Sequence, residues 1–374
     1  MPVTTKVAYL NEVKNIHICL VAISLSKGGA ERAVAAQSQM WHDMGARVTI
    51  VLLNHDFTYA YAGQIWSPLK TGVGYGMMPR WSKFKQLRVF LSQERPDVVI
   101  DHRPKNNILK ELIYKKWLYR GLSLIYVTHS AHVPMYLTQF PKVFAQLCQS
   151  NRANIGVSEW IKNEILDNHG LKNTHYIPNS IAPAWSGYVP QEAPSDERPY
   201  VLWYGRLDDQ VKDLSLLIEA FSLSEAGKSS FDLRIMGQGP DKESLQEKSL
   251  SLGCSDRIIF MEFQPDPRPI VAGAQAVLLT SFFEGFPMVL IEALSLSTPV
   301  VAIDINSGPS EIIQDQHNGL LVGQRNSRIF AQAIDRMCLD REFHQLCCDH
   351  ARASVQHFAM EHVAKHWKAL LDHD

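Results

Sequence analysis

The chain has 374 residues, 46% of them hydrophobic and 20% charged, and its formal net charge is −1. The length predicts two domains, the composition excludes a disordered chain, and the balanced charge excludes nucleic-acid binding over the whole surface. No apolar run reaches the roughly 18 residues of a spanning helix, Met1–Lys14 lacks the layout of a signal peptide, and no two cysteines form a Cys-x-x-Cys pair. We therefore expect reduced thiols and a cytoplasmic protein, either free or peripheral on the inner face of the cytoplasmic membrane.

The first half of the chain alternates strand-like and helix-like segments. Apolar runs bounded by polar turns predict strands, and strands that alternate with helices predict a parallel sheet. The predicted strands are Asn15–Ser24, Arg47–Asn54, Asp97–Asp101, Ser123–Thr128, Ala153–Val157 and Thr174–Ile177.

A glycine turn, Gly28-Gly29-Ala30-Glu31-Arg32, follows the first predicted strand and leads into a helix. Two glycines let a ligand approach the backbone at a helix N-terminus, but an ordinary tight turn explains them equally well. The pattern lacks the third glycine of the dinucleotide fingerprint, which disfavours a nicotinamide oxidoreductase. His129 follows the strand Ser123–Thr128, where a structural and a catalytic role are both open.

Basic residues outnumber acids between Tyr75 and Arg120, and aromatic residues lie among them. Such a segment suits the surface of an anionic membrane. A solvated helix face with a few core aromatics is an equal alternative, and nucleic acid is disfavoured because no nucleic-acid motif accompanies the segment. The basic residues are Arg80, Lys83, Lys85, Arg88, Arg95, Arg103, Lys105, Lys110, Lys115, Lys116 and Arg120, and the aromatics are Trp81, Phe84, Trp117 and Tyr119.

A second series of strands and helices follows Pro183–Pro199, a segment rich in proline, serine and acids that reads as a linker. A helix is predicted from about Leu214 to Ser222 and an amphipathic helix over His357–Leu371. The predicted strands are Tyr200–Tyr204, Phe231–Met236, Arg257–Phe260, Ala276–Leu279 and Pro299–Asp304.

Two acids flank a predicted strand-to-helix turn in this second half. Glu284 follows the strand Ala276–Leu279, and Glu292 lies in the first part of a helix predicted over Met288–Leu296. Open α/β sheets bind ligands at the carboxyl ends of their strands, and a helix N-terminus favours a phosphate, so both acids can face one ligand. The alternative is that Glu284 caps the helix and Glu292 lies on the surface.

Four motifs, in this order along the chain, resemble those of the retaining family-four glycosyltransferases of the GT-B fold. They are Gly28-Gly29-Ala30-Glu31-Arg32, Ile177-Pro178-Asn179-Ser180, Gly205-Arg206-Leu207 with Lys212-Asp213, and the E-x7-E pair of Glu284 and Glu292. The set looks most like bacterial lipopolysaccharide galactosyltransferases and N-acetylgalactosaminyltransferases that act on lipid-linked oligosaccharides. Two departures are Ser180, where the family usually has glycine, and Lys212, which stands one position later than usual and predicts an extra loop residue.

The resemblance implies an α/β protein with two Rossmann-like parallel-sheet domains that face each other across a cleft. The acceptor-binding domain is expected over residues 1–182, a linker over 183–199 and the nucleotide-sugar-binding domain over 200–355. A terminal helix over residues 356–374 is expected to pack back on the first domain.

The resemblance also implies a donor site that needs no metal. Arg206 and Lys212 would neutralise the diphosphate, Glu284 would hold the donor sugar near its anomeric carbon, and Glu292 would hold the ribose. His129 matches the histidine that the family places near the donor sugar, so the expected catalytic residues are Glu284, His129, Arg206 and Lys212.

Further residues follow from the same resemblance. Glu31, Arg32 and His129 are expected to contact the acceptor. The remaining donor-binding residues are expected to be Gly28, Gly29, Gly237, Gly239, Phe263, Gly285, Phe286 and Pro287.

The implied function is transfer of a hexose or N-acetylhexosamine from a UDP-sugar, with retention, to a lipopolysaccharide, capsule or lipid-linked glycan. The expected partners are the donor, a glycan or glycolipid acceptor and an anionic membrane surface, with no cofactor and no nucleic acid. A sugar-nucleotide epimerase of the same fold and a non-catalytic sugar-nucleotide-binding protein are the alternatives.

Overall fold

The computed structural model describes residues 13, 15–26, 28–68, 80–189 and 198–372. The chain divides into two compact units, the first formed by Met1–Ser180 with Met360–Asp374 and the second by Ile181–Ala359. Each unit is built around one parallel sheet.

The sheet of the first unit has seven described strands in the order β3-β2-β1-β4-β5-β6-β7. The strands are β1 (His17–Ala22), β2 (Arg47–Leu52), β3 (Gln64–Trp66), β4 (Val98–Asp101), β5 (Ser123–Thr128), β6 (Ala153–Gly156) and β7 (Thr174–Tyr176). The helices are α1 (Gly29–Asp43), α2 (Arg80–Glu94), α3 (Ile108–Ile113) with the π-helix Tyr114–Leu118, α4 (Val133–Tyr136), α5 (Pro141–Cys148) and α6 (Glu159–His169).

The sheet of the second unit has six described strands in the order β10-β9-β8-β11-β12-β13. The strands are β8 (Tyr200–Arg206), β9 (Asp232–Gln238), β10 (Ile258–Met261), β11 (Ala276–Leu279), β12 (Val300–Ile303) and β13 (Gly319–Val322). The helices are α7 (Pro183–Ser186), α8 (Asp209–Lys212), α9 (Leu214–Leu223), α10 (Glu225–Ser229), α11 (Lys242–Ser251), α12 (Arg268–Ala272), α13 (Met288–Ser295), α14 (Pro309–Ile312), α15 (Ser327–Leu339) and α16 (Arg341–Ser354), with 3-10 turns at Ser255–Arg257 and Gln356–Phe358.

The central strands are buried over most of their length, as the helix-covered parallel sheet requires. β1, β4 and β11 each consist only of buried residues. In both sheets the strand order reverses direction beside the first strand, between β1 and β4 and between β8 and β11. A doubly wound sheet binds its ligand at this reversal, outside the carboxyl ends of the strands.

All eleven predicted strands are present, with bounds that differ by up to two residues. The sequence reading missed β3 and β13, two short edge strands. β3 has three residues and no fully buried side chain, so it lacks the apolar run that marks the other strands. The predicted linker 183–199 begins with α7, and its residues 190–197 lie outside the described ranges.

The terminal helix α17 (Met360–Asp372) belongs to the first unit and contacts α1. The ring of Trp367 meets that of Trp41 edge to face, with 6.0 Å between centroids. The Arg152 guanidinium donates to the carbonyl oxygens of Leu370 and Leu371 at 3.2 and 2.6 Å. These hydrogen bonds satisfy carbonyls that the helix end leaves without intrahelical partners. Among the described residues, no helix is both long and apolar enough to cross a bilayer.

Candidate active site

The second unit gathers predicted site residues at the carboxyl ends of β8 and β11, which are neighbours in the sheet. Arg206 is the last residue of β8, and Glu284 lies in the loop between β11 and α13. The Arg206 side chain is 59% exposed and lies 2.7 Å from Oδ2 of Asp208. This guanidinium is therefore accessible to an anion at the ligand-binding edge of the sheet.

Lys212 and Glu284 meet directly at this edge. Nζ of Lys212 lies 2.6 Å from Oε1 of Glu284, and the two side chains are 22% and 13% exposed. The Ser281 hydroxyl donates to the same Oε1 atom at 2.7 Å. Two hydrogen bonds thus orient the Glu284 carboxylate, which does not cap α13, because the N-cap of that helix is Pro287 and makes no side-chain bond.

Lys212 is the last residue of a short helix that is bonded to the segment after β11. The short helix α8 ends at Lys212, and its C-cap, Asp213, adopts a left-handed conformation with φ 48° and is also the N-cap of α9. The Phe282 amide donates to the carbonyl of Val211 at 2.8 Å, and the Thr280 hydroxyl donates to that of Lys212 at 2.9 Å. These bonds join the loop to the segment after β11 and aim Lys212 at Glu284.

Arg325, which the sequence reading did not single out, joins the same two loops. Its Nη1 donates to Oδ2 of Asp213 at 2.6 Å and to the carbonyl of Thr280 at 2.7 Å, and its Nη2 donates to the carbonyl of Ser281 at 2.7 Å. The guanidinium also lies over the Phe282 ring, 4.1 Å from its centroid. Arg325 stands 112 residues from Asp213, so no local pattern marks it.

Glu292 is buried, with 1% of its surface exposed, so the alternative of a surface acid is wrong. The Tyr204 hydroxyl lies 2.9 Å from its Oε2 atom and 3.2 Å from the carbonyl oxygen of Val289. Tyr204 is the third-last residue of β8 and was missed by the sequence reading. A buried carboxylate requires such partners, because burial without hydrogen bonds is costly.

The turn between Glu284 and α13 is held by the loop before α14. Ser307 donates from its hydroxyl to the Gly285 carbonyl at 2.7 Å. Gly308 has φ +99°, and a Cβ there would lie 2.3 Å from Cδ of Pro287, so only glycine fits. The Phe286 ring is buried against Phe358, with 5.0 Å between centroids, which leaves the backbone of Phe286 as the part that can meet a ligand.

Gly237 and Gly239 have a packing role at this edge. A Cβ on Gly237 would lie 1.8 Å from the carbonyl oxygen of Gly205, and one on Gly239 would lie 2.0 Å from that of Leu207. The ends of β8 and β9 therefore approach more closely than a side chain would permit. Phe263, half-buried, follows the end of β10 by two residues.

The first unit carries the remaining predicted residues at the carboxyl end of β1. Gly28 is the N-cap of α1 and Gly29 is its first residue. The Glu31 carboxylate folds over Gly28, since a Cβ on Gly28 would lie 2.1 Å from Oε2 of Glu31. The Arg32 guanidinium lies over the Tyr59 ring at 5.0 Å. The ligand roles expected of these residues stay predictions.

His129 pairs with a second histidine that the sequence reading missed. His102 follows β4, and its Nδ1 lies 2.8 Å from Nε2 of His129, which follows the adjacent strand β5. Nε2 of His102 lies 2.8 Å from Oε1 of Gln37 on α1. Burial lowers the pKa of His129 to about 3, with a further contribution from the positive charge of Lys105, and burial also places the pKa of His102 well below its ordinary value. Both rings are therefore neutral near pH 7.

Two residues of the predicted basic surface segment, Arg103 and Lys105, are buried, so the prediction that they lie on the surface is wrong. Arg103 is 3% exposed and donates to Oδ2 of Asp101 at 2.6 Å and to Oε1 of Glu111 at 3.3 Å. The Lys105 ammonium, 0% exposed, donates to the carbonyl oxygens of Asp101, Arg103 and Val127 at 2.8, 2.6 and 3.0 Å. Buried charges require such partners, and these two are unavailable to a membrane.

Other parts of that segment do face solvent. The exposed basic residues among those described are Lys85, Arg95, Lys110, Lys116 and Arg120. Trp81 is 59% exposed, whereas Tyr119 is buried and donates to Asp101 at 3.0 Å. The segment therefore combines an exposed basic surface with charged and aromatic residues that belong to the core. Its residues 75–79 lie outside the described ranges.

Two family models match the chain. Residues 27–185 match the model described as Glycosyltransferase Family 4, and residues 188–353 match the model described as Glycosyl transferases group 1. The chain belongs to the family-four glycosyltransferases. This confirms the family predicted from the four motifs, and the two parallel sheets are those of the GT-B fold.

The glycosyltransferase has similar proteins of known name. It is 33% identical over 177 residues to the lipopolysaccharide 1,6-galactosyltransferase of Escherichia coli (strain K12), a match that covers 45% of this chain and 47% of that protein. The chain thus spans about half the length of that relative. It is 22% identical over 370 residues, 95% of this chain and 98% of the other, to an α-1,4-N-acetyl-D-galactosaminyltransferase of Campylobacter jejuni named for a diNAcBac-PP-undecaprenol-linked saccharide.

A solved structure shares the fold of this glycosyltransferase. Anabaena Alr3699/HepE in complex with UDP and glucose superposes with a TM-score of 0.77 at 18% identity, over 96% of this chain and 100% of that one. Within the described residues, no three His, Cys, Asp or Glu side chains come together as metal ligands.

Proposed function

We propose that this protein is a retaining glycosyltransferase that moves galactose or N-acetylgalactosamine, or a related hexose or N-acetylhexosamine, from a UDP-sugar to a lipopolysaccharide, capsule or lipid-linked glycan. The observation that carries the proposal is that the Lys212–Glu284 pair and the exposed Arg206 lie at the strand-order reversal of the second sheet. The names of the Escherichia coli and Campylobacter jejuni relatives support the sugar and acceptor classes, and UDP in the Anabaena structure supports the nucleotide.

In the proposed reaction the bond between the anomeric carbon and the diphosphate breaks, and negative charge develops on the leaving UDP. Arg206 can fork onto two phosphate oxygens, and fixed cations of this kind stabilise developing charge. A lysine ammonium has three N–H donors, so Lys212 can keep its bond to Glu284 and contact a phosphate oxygen.

By the family resemblance, the Glu284 carboxylate would accept hydrogen bonds from the donor sugar, and the Glu292 carboxylate would accept them from the ribose. The acceptor hydroxyl attacks on the face that the diphosphate leaves, its proton passes to the leaving phosphate oxygen, and the anomeric configuration is retained. These roles deepen the proposal and follow from the family resemblance together with the positions of the two acids.

No divalent metal takes part in the proposed reaction, because Arg206 and Lys212 supply the positive charge that a metal would otherwise supply. The chelator EDTA should leave the rate of transfer unchanged. A rate that EDTA abolishes and Mg²⁺ or Mn²⁺ restores would contradict this part of the proposal.

The exposed bases Lys110 and Lys116, with Trp81, support an anionic membrane surface as a partner. Binding to vesicles that contain phosphatidylglycerol should weaken as salt rises, because salt screens exposed charges. At a fixed salt concentration, the double variant Lys110→Glu with Lys116→Glu should bind these vesicles more weakly than wild type. Lys228→Glu, at an exposed lysine of the second unit, is the matched control. Equal binding to neutral vesicles would contradict an electrostatic partner.

A donor screen tests the main proposal. Release of UDP from UDP-galactose, UDP-N-acetylgalactosamine and related donors is measured with truncated lipopolysaccharide and lipid-linked saccharides as acceptors. We expect release that depends on an acceptor, and loss of release in Glu284→Ala but not in Glu225→Ala, an exposed acid of the same unit. A changed sugar nucleotide without any acceptor would show an epimerase instead, and tight UDP binding without turnover would show a binding protein.

A further inference from the structure

Three side chains from separate elements of the first unit form a hydrogen-bonded series, and two of them, Gln37 and His102, are buried. Gln37 lies on α1, His102 follows β4 and His129 follows β5, and each neighbouring pair is 2.8 Å apart. The two imidazole rings lie nearly parallel, with 5.1 Å between centroids and 29° between planes. Gln37 and His102 are each 6% exposed, so water does not compete for the bond between them.

The series fixes which nitrogen of each ring carries the proton. A neutral imidazole has one N–H donor and one acceptor nitrogen. Oε1 of Gln37 can only accept, so Nε2 of His102 is the protonated nitrogen and Nδ1 of His102 is the acceptor. Nε2 of His129 must then donate to that Nδ1. The proton of His129 therefore lies on Nε2, and its Nδ1 carries a lone pair.

That Nδ1 atom is buried and has no hydrogen-bond partner among the described groups. His129 lines a small cavity of the first unit together with Gln37, His102, Asn179 and Ser180. The cavity has about 20 Å³ of room for the centre of a water molecule, and one water needs roughly 10–15 Å³ by this measure. It can thus hold one oxygen-sized group, such as a water or a hydroxyl.

We propose that Gln37 and His102 are positioning residues that hold His129 as an acceptor at Nδ1, ready for an O–H donor. In the transfer reaction that donor is a hydroxyl of a saccharide substrate, so this part rests on the proposed function. His129 in this state is a fixed hydrogen-bond acceptor rather than a general acid. The opposite tautomer would present an N–H to the same hydroxyl and would require that hydroxyl to accept.

Nuclear magnetic resonance of ¹⁵N-histidine in the full-length protein tests the tautomer without any substrate. The signals of His102 and His129 are assigned from His102→Gln and His129→Gln. We expect the wild-type His129 to show an unprotonated Nδ1 and a protonated Nε2 at pH 7. A protonated Nδ1, the pattern that the opposite Gln37 amide orientation would produce, would overturn the proposal whatever the activity.

Substitution at Gln37 tests the role of the series. Gln37→Met keeps the length of the side chain and removes the acceptor, so His129 should become a mixture of tautomers and kcat should fall about tenfold, the factor that corresponds to one hydrogen bond. Gln37→Glu keeps an acceptor and should restore both the single tautomer and most of kcat. Gln39→Met on the same helix, where the side chain donates to the exposed Ala60 carbonyl, is the control.

The outcomes separate this inference from the proposed function. A wild-type protein with the expected tautomer but no transfer from any donor would defeat the proposed function and leave the tautomer assignment standing. An unchanged tautomer and unchanged kcat in Gln37→Met would overturn the positioning role. If Gln37→Met does not fold by circular dichroism, the wild-type spectrum and Gln37→Glu still decide the assignment.

Discussion

The ion pair at the end of β4 in the first unit is buried, whereas the ion pairs at the ends of β8 and β11 in the second unit are partly exposed. In the first unit Arg103 and Asp101 are 3% and 0% exposed and bind each other, and the nearby histidine pair is neutral. In the second unit Arg206 is 59% exposed, and Lys212 and Glu284 form a pair at 22% and 13% exposure. Charges that are buried and paired hold an edge together, whereas partly exposed charges remain available to an anionic ligand.

The strongest test makes the same substitution, arginine to methionine, at each of the two edges. Arg103→Met leaves the Asp101 and Glu111 carboxylates buried without their guanidinium, and should lower the free energy of unfolding by about 3–5 kcal/mol. Arg206→Met removes an exposed ion pair and should lower it by about 0–1 kcal/mol. Urea unfolding measures both changes. If both variants lost a similar free energy of unfolding, the contrast between a buried and an exposed edge would be wrong.

Lys212 should matter for transfer more than for stability. Lys212→Ala removes a cation proposed to face the leaving diphosphate, so kcat should fall by about 10²–10³-fold, as for other fixed groups that stabilise transition-state charge. The control is Lys228→Ala, which breaks the exposed pair with Glu225 in the same unit and should leave kcat unchanged. Wild-type kcat in Lys212→Ala would remove Lys212 from the proposed site.

Arg325 tests whether the charged edge depends on its support. Arg325→Leu removes the bonds that join Asp213 to the segment after β11, and should lower the free energy of unfolding by about 1–3 kcal/mol and kcat/KM about tenfold. Arg336→Leu is a matched control, because Arg336 also lies 4.1 Å over a phenylalanine ring but, among the described residues, its side chain hydrogen-bonds to Gln316 and not to the Lys212 loop. If both variants lose kcat/KM equally, the support is not specific to Arg325.

The stability of the buried edge should depend on pH through Lys105. Burial lowers the pKa of Lys105 to about 8, a shift that the Asp101 charge partly offsets. Above that pH the folded lysine is neutral while the unfolded one still binds a proton. The unfolding free energy of wild type should therefore rise relative to Lys105→Met from pH 8 to 9.5, by at most about 1.4 kcal/mol per pH unit. A constant difference between the two proteins over this range would contradict a depressed Lys105 pKa.

The order of strands and helices was predictable because a parallel α/β chain encodes it locally. Ser123–Thr128 and Ala276–Leu279 were predicted with their observed bounds, since each is an apolar run that ends at polar residues. β3 was missed because an edge strand with no fully buried residue carries no such pattern. The surface role of Arg103 and Lys105 was wrong because charge composition does not reveal whether a cation has a buried partner.

Arg206, Lys212, Glu284 and Glu292 were singled out in the sequence, because the first three follow or end strands and all four stand within a recognisable spacing. Arg325 and His102 were not, because their partners are distant along the chain and only the strand order brings them together. The sequence by itself therefore determined the two parallel sheets, the family and which side chains carry the proposed chemistry. The tertiary structure decided which charges are buried, which are paired and which nitrogen of His129 is left with a lone pair, because these depend on contacts between neighbouring elements rather than on local spacing.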